Sequence, residues 1–286
     1  IHPSYTGRTY VDILAAVKRA IPGLHVHAFS PLEVWQGATT LHMDLATFLA
    51  ELKANGLGSL PGTAAEILDD DVRAVLCPDK LTTAEWLEVM RIAHGHGLSS
   101  TATIMFGHLE QPIHWARHLL RLSLLQRETG RITEFVPLPF VAMEAPIYRA
   151  GGARRGPTWR EAVLMHAVSR LALHPLITNI QTSWVKMGSG GAAAALAAGA
   201  NDLGGTLMNE SITRAAGAAH GQEMAPPAMD ELILGLGRTP RQRTTLYGTP
   251  PAGQVARSYV AEPLRPIAPH APPRRAREPV LSLAAS

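Results

Sequence analysis

Apolar residues along this chain follow two alternating spacings, one helical and one of period two. Residues 9–21 (TYVDILAAVKRAI) show the helical spacing, and Pro22-Gly23 stops the helix. Residues 24–29 (LHVHAF) alternate as a short strand that closes at Ser30-Pro31. A second helix is predicted over 44–55, with Gly56 just past its end. Residues 58–62 read as a short buried strand running into a Gly/Thr/Ala loop. Thr82 and Glu85 form a capping box that starts a helix over 82–96. A β-branched strand follows at 99–106, then a long helix at 112–128. The pattern repeats with a strand at 134–140, a helix at 158–173, a strand at 179–186, an Ala-rich helix at 190–198 and a last strand at 202–208.

Strands alternating with helices imply parallel βαβ units. The expected fold class is α/β. A partial TIM-type (β/α) barrel is preferred to a doubly wound sheet, because polar residues recur at nearly every strand exit, where barrels bind ligands. Residues 1–7 (IHPSYTG) read as a loop leaving a strand that lies upstream. The chain is therefore expected to be an N-terminally truncated fragment holding strands three to eight of the barrel.

Composition changes the picture at one end. The net charge of +3 comes wholly from residues 249–286, which carry five arginines against Glu262 and Glu278. Residues 1–248 sum to zero, so the body has no nucleic-acid footprint. Eight of the 22 prolines fall in 250–286. The expectation is a barrel domain over 1–248 and a Pro/Arg-rich disordered tail over 249–286. A single cysteine, Cys77, excludes an internal disulfide framework and a Cys-rich metal site within the chain. No apolar run reaches membrane-spanning length, and the expected location is cytoplasmic.

Candidate chemistry sits at the strand ends. His25 and His27 form an H-x-H pair on one face of a strand, a spacing that can hold a divalent metal if Asp202 and His108 join it. Glu66, after the Gly-Thr-Ala loop of PGTAAEIL, could accept ribose hydroxyls or simply start a helix. In TATIMFGHLE, Gly107 permits close approach of a ligand, with His108 and Glu110 beside it. Gln181, Ser183 and Lys186 share one strand, and Lys186 could hold a carboxylate or be solvated. Arg154 and Arg155 lie in a Gly-rich loop suited to anions or to plain surface. The segment NDLGGTLMNESITRAAGAAHGQ brings Asp202, Asn209 and Glu210 to the last strand and its exit. His94, His96, His114 and His118 are read as packing or surface residues, and Cys77 as structural.

Taken in order, IHPSYTG, HAFSPLE, LPGTAAEIL, LCPDKLT, TATIMFGHLE, EFVPLPF, NIQTSWVKMG and NDLGGTLMNESITRAAGAAHGQ closely resemble the 4-hydroxybenzyl-transferring part of the radical S-adenosylmethionine FO synthase family. The resemblance covers residues 1–248. It implies S-adenosylmethionine and a 4Fe-4S cluster as cofactors. The cluster's CxxxCxxC loop is absent here and is expected upstream of Ile1, so this chain supplies no metal ligand and is expected to be inactive alone. His2, in the remnant of a Gly-Gly-Ile-His-Pro turn, is implied near the methionine end. Glu66 is implied at the ribose. Thr103, Met105, Gly107 and Glu110 fit the family's G-x-I-x-G-x-x-E strand, with Thr103 replacing its first Gly. The implied substrates are L-tyrosine and 5-amino-6-(D-ribitylamino)uracil, with His25, His27, Gln181, Ser183, Lys186, Asp202, Asn209 and Glu210 as candidates to bind them. A fused or partner upstream radical domain is the implied companion. The alternatives are a related radical enzyme of the menaquinone futalosine pathway and a metal-dependent barrel hydrolase using the H-x-H pair.

Overall fold

Hydrophobic strands too short to close a sheet alone must find parallel neighbours, and here they do so in chain order. The computed structural model describes residues 1–207, 212–218 and 220–264. Strands β1 (Val26–His27), β2 (Leu57–Leu60), β3 (Ser99–Phe106) and β4 (Ile132–Pro139) pair in parallel in the order β1-β2-β3-β4. Ser59 lies opposite Ser99, and Thr101 opposite Glu134. Two single bridges extend the sheet: Phe135 to Ile180, and Gln181 to Asp202. The result is a partial TIM-type barrel whose six strand positions follow the predicted order.

The helices pack outside, and the core lies between them and the sheet. Phe48, Trp86, Met90, Phe106, Phe135 and Trp184 are almost fully enclosed there. Buried Arg73 ties the β2 exit together, with Nε donating to Leu81 O at 2.7 Å and Nη1 to Ile67 O at 3.3 Å. No helix among the described residues is long and apolar enough to cross a membrane.

Four expectations need correction. The strand predicted over 179–186 consists of the bridge residues Ile180 and Gln181 alone. From Trp184 the chain is helical (Trp184–Ala197), because the Trp184 indole enters the core and donates to Gly205 O at 3.0 Å. Lys186 is thus a helix residue. That helix is broken at Gly188, φ +68°, so its second half matches the Ala-rich helix expected there. Among the described residues the last strand reduces to Asp202, whose Oδ1 accepts from the Gly204 amide at 2.6 Å. A helix at Pro31–Thr40 follows β1, where Ser30-Pro31 reads as a strand stop. Ser30 and Glu33 make a reciprocal capping box, with Pro31 at the first helical position where its missing N–H costs nothing. Finally, the segment after 249 is not uniformly irregular: Ala252–Tyr259 forms a helix, and Pro226–Gly235 another before it.

Two buried histidines give the fold a pH dependence. His94 bridges Thr129 Oγ1 at 2.7 Å and Ser100 Oγ at 2.9 Å, and burial, then Arg131, lowers its pKa to about 4. His118 accepts from the Leu68 amide at 3.0 Å, and burial, then Arg121 and Arg73, lowers it to about 3. Unfolded histidine titrates near ~6.5. Between that value and about 4 the unfolded chain binds protons that the folded chain refuses. Stability is therefore fully present above the unfolded value and is lost as pH falls toward 4. Urea midpoints should drop from pH 7.5 to pH 5, and His94→Gln should flatten part of that drop. Equal midpoints at the two pH values would refute this.

Candidate functional site

The exits of β2 and β3 are locked to each other. The Gly62 amide donates to Thr101 Oγ1 at 2.8 Å, and the Thr103 hydroxyl donates to Gly62 O at 2.9 Å. A methyl group on Gly62 would meet Thr101 O at 2.4 Å and Ala102 Cα at 2.6 Å, both main chain. Gly62→Ala should therefore destabilise by about 1–3 kcal/mol by forcing β2 from β3, measured as a lower thermal midpoint. An unchanged midpoint would show that the two exits are not in contact.

Past Gly62 the chain turns sharply, and Glu66 adopts φ +46°, a left-handed conformation that a non-glycine residue holds only under constraint. That constraint comes from the Met105 amide, which donates to Glu66 O at 2.9 Å. The Glu66 carboxylate pairs with Lys80 Nζ at 2.7 Å and keeps part of its surface open. At the β3 exit, Glu110 is fully enclosed. It accepts from the amides of Gly107 and His108, and from the Trp115 indole at 2.9 Å. Burial pushes this carboxyl up, but the hydrogen bonds and charge from His108 and the Gly107 amide outweigh it and hold the pKa far below the usual range. Its oxygens thus shape the loop and do not face the barrel mouth. His108 serves the same loop, with Nε2 3.0 Å from Met105 O and Nδ1 3.0 Å from Glu110 Oε2 and 2.8 Å from the Leu109 amide nitrogen. Gly107, φ +96°, is needed because a Cβ there would strike Pro157 Cδ at 2.2 Å.

A second polar group lies nearer the N-terminal ends of the strands, with two exposed histidines at its edge and two enclosed carboxylates at its centre. His25 Nε2 and His27 Nδ1 both bond Ser59 Oγ, at 2.8 and 2.7 Å. Although His27 keeps an exposed edge, its protein surroundings, then His25 and Arg243, lower its pKa to about 4, so the ring is neutral near pH 7. Across from it, Arg243 grips Asp202 through two hydrogen bonds and reaches Glu134 Oε2 at 3.0 Å. Gln181 Nε2 donates to the same Glu134 oxygen at 3.3 Å, as does the Tyr247 hydroxyl. The Arg243 guanidinium lies 4.1 Å from the Tyr247 ring centroid. Burial raises the Glu134 pKa against the pull of Tyr247 and Arg243. Burial, then Asp202 and Glu134, raises that of Tyr247.

The structure thus brings Gln181 and Asp202 onto the enclosed Glu134–Arg243 group, leaves His25 and His27 exposed at its edge on Ser59, and brings Glu66, Thr103, Met105, Gly107 and Glu110 to the β2 and β3 exits. Ser183 is the N-cap and Lys186 lies in the first turn of the helix Trp184–Ala197. His2 lies in an exposed turn, with Nδ1 2.7 Å from Ser4 Oγ. Asn209 and Glu210 fall outside the described residues. The sequence reading missed Glu134, Arg243 and Tyr247. A glutamate in the otherwise apolar run ITEFVPLP was the available signal for the first, whereas no periodicity marks the other two.

The alternative in which the H-x-H pair holds a metal lacks its other ligands. His108 is held by its own loop and Asp202 by Arg243. Among the described residues no group of three or more His, Cys, Asp or Glu side chains could hold a metal ion.

Comparison with known proteins sharpens the picture. A family model described as the CofH/MqnC C-terminal region matches residues 129–254. The chain is 51% identical over 247 residues to the 5-amino-6-(D-ribitylamino)uracil–L-tyrosine 4-hydroxyphenyl transferase of Methanopyrus kandleri, covering 86% of this chain and 67% of that protein. The chain belongs to this transferase family. It is also 52% identical over 251 residues to FO synthase of Streptomyces avermitilis, covering 88% of the chain but only 29% of that protein. Among solved structures, methylornithine synthase superposes with a TM-score of 0.57 at 20% identity, over 82% of this chain and 64% of the other, which supports the fold alone.

Proposed function

We propose that this chain is the substrate-holding part of a radical S-adenosylmethionine transferase. The reaction moves the 4-hydroxybenzyl group of L-tyrosine to 5-amino-6-(D-ribitylamino)uracil. After tyrosine gives up a hydrogen atom, its Cα–Cβ bond breaks, its own amino and carboxyl part leaves as iminoacetate, and the benzyl carbon bonds to the uracil, which then loses an electron and a proton. The observation that carries this reading is identity near one-half to proteins named for that transfer, over 86% of the chain. The remaining length of the FO synthase relatives fits a second radical domain in the same pathway. The futalosine-pathway alternative has less support, and the hydrolase lacks a ligand set.

The chain's own groups fit S-adenosylmethionine at one end. Glu66 offers a partly open carboxylate, held at a fixed angle, for the two ribose hydroxyls. Met105 lies beside it, and the β3 exit loop, kept in shape by Glu110, would support the adenine. When bound, this cofactor supplies the radical that activates tyrosine. The 4Fe-4S cluster does not fit the residues present. It needs three thiolates, and the only cysteine, Cys77, is buried with its thiol pK raised by burial. Its ligands would have to come from outside this sequence.

The interior group is assigned to the ribityl-uracil. Arg243 balances Asp202 and Glu134, so that end offers amide, imidazole and hydroxyl groups for the ribityl chain. The neutral His25–His27 pair accepts or donates without adding charge. All of these groups bind, orient and exclude water, while the cofactor carries the chemistry. In the complete protein, Glu66→Gln should weaken S-adenosylmethionine binding about tenfold or more, through loss of charge-assisted hydrogen bonds. Titration calorimetry reads this directly. Undiminished affinity would remove Glu66 from the ribose.

A further inference from the structure

Six large apolar side chains stand open to solvent on two neighbouring helices. Ile113, Leu120 and Leu124 lie on the helix Pro112–Thr129, and Leu164, Val168 and Leu171 on the helix Trp159–Leu173. Each is between 41% and 81% exposed. Spacings of four and seven residues put each trio on one face of its helix. The two helices follow β3 and β4 in the chain and pack against each other.

Their charged groups turn away from this stripe. On the first helix, Arg117 and Arg121 reach Asp69 and Glu128 holds Arg91, all toward the preceding unit of the barrel. On the second, Arg170 bonds Gly199 O and Asn201 Oδ1, toward the following unit, and Trp159 leans the same way over Gly191. Glu161 is held by Arg154. What remains between the helices is apolar, with Arg127 and Arg160 at diagonally opposite corners, in the last turn of one helix and the first turn of the other. Nothing among the described residues covers it. The open edges of the sheet lie at β1 and at the Asp202 bridge, so further strands would join there, and the helix Pro226–Gly235 packs on Trp184–Ala197.

Six side chains this open expose on the order of 500 Å² of apolar surface, the upper end of the largest patch on a typical monomer. Two such faces pressed together bury about 1,000 Å² before any rim is counted, the size at which specific interfaces begin. An isologous two-fold supplies that second face, since the same patch serves both copies. With the arginines at opposite corners, a two-fold axis along or across the helices keeps all four apart and leaves them on the rim, where interfaces are polar.

We propose that this face is a homodimer interface, in which the helices Pro112–Thr129 and Trp159–Leu173 of two copies form a four-helix contact centred on Leu120, Leu124, Leu164 and Leu171. Sedimentation equilibrium of the complete protein over a range of micromolar concentrations tests it. The wild type should be a dimer. Leu120→Glu and Leu171→Glu, at side chains 59% and 81% exposed, should each weaken dimerisation by about a hundredfold or more, because the two-fold repeats every substitution and an unpaired carboxylate is costly to bury. Leu234→Glu, at an exposed position of the helix Pro226–Gly235, should stay dimeric. Undiminished S-adenosylmethionine binding and circular dichroism show that the variants are folded. A monomeric wild type would overturn the proposal and leave the stripe to another domain or protein. A dimer that persists in both glutamate variants at these two positions would overturn it as well, by placing the contact on a different face. The readout is mass, so failure of the transfer reaction leaves this result untouched.

Discussion

Arg243→Met should destabilise the protein by about 3–5 kcal/mol, the usual cost of removing one partner from a buried charged group. Arg243 is the only cation bonded to both Asp202 and Glu134 among the described residues. Both carboxylates are nearly enclosed, with side-chain exposures of 6% and 10%. Without the guanidinium they face each other across Gln181 and Tyr247 with no neutralising charge, and the Tyr247 ring loses its stacked partner. The loss should shrink on acidification, because an orphaned carboxylate escapes by taking up a proton. The carboxyl of Glu134 already has a raised pKa, so it should protonate first. Urea unfolding at pH 7.5 and pH 5.5 measures both effects. Adding Glu134→Gln to Arg243→Met should recover part of the stability at pH 7.5. A loss under about 1 kcal/mol, typical of a surface pair, would mean that the cluster does not close the barrel interior.

The second large effect concerns Glu110. Its two oxygens serve two main-chain amides and the Trp115 indole inside a buried loop. Glu110→Ala orphans all of these donors, each costing about 1–3 kcal/mol when left buried without a partner. Such costs are not additive, so a total on the order of 4 kcal/mol is expected. Glu110→Gln keeps one acceptor oxygen and should cost about half as much. In the complete protein both variants should also weaken S-adenosylmethionine, although Glu110 itself does not reach the barrel mouth, because the 107–109 loop loses its anchor. Full stability with lost cofactor affinity would reverse this assignment and make Glu110 a direct ligand.

The fold was legible where the period was strong. The β3 strand, its flanking helices and the sequential parallel order followed from spacing alone, since a parallel sheet needs long apolar runs joined by helices. Legibility failed where a side chain overrode local pattern. NIQTSWVK alternates like a strand, yet Trp184 is drawn into the core and starts a helix. The helix Pro31–Thr40 hid behind a Ser-Pro pair that also ends strands, and only Glu33 at the third position marked it. The candidate site was half legible. Gly62 and Gly107 mark close approaches that leave a sign in sequence, and the structure sets Glu66 and Glu110 beside them at neighbouring strand exits. Arg243 and Tyr247 left none, since they meet Glu134 across more than one hundred residues and belong to a stretch with no period. Lys186 was placed on the wrong element, yet it lines a cavity at the rim.

The central claim is the transfer itself, and product formation tests it most directly. The complete protein containing this chain, loaded anaerobically with iron, sulfide and S-adenosylmethionine, is supplied with L-tyrosine and 5-amino-6-(D-ribitylamino)uracil. The account predicts a 4-hydroxybenzyl adduct of the uracil that forms only when both substrates are present, accompanied by 5′-deoxyadenosine. Deoxyadenosine release with no adduct, at a rate indifferent to tyrosine, would contradict it.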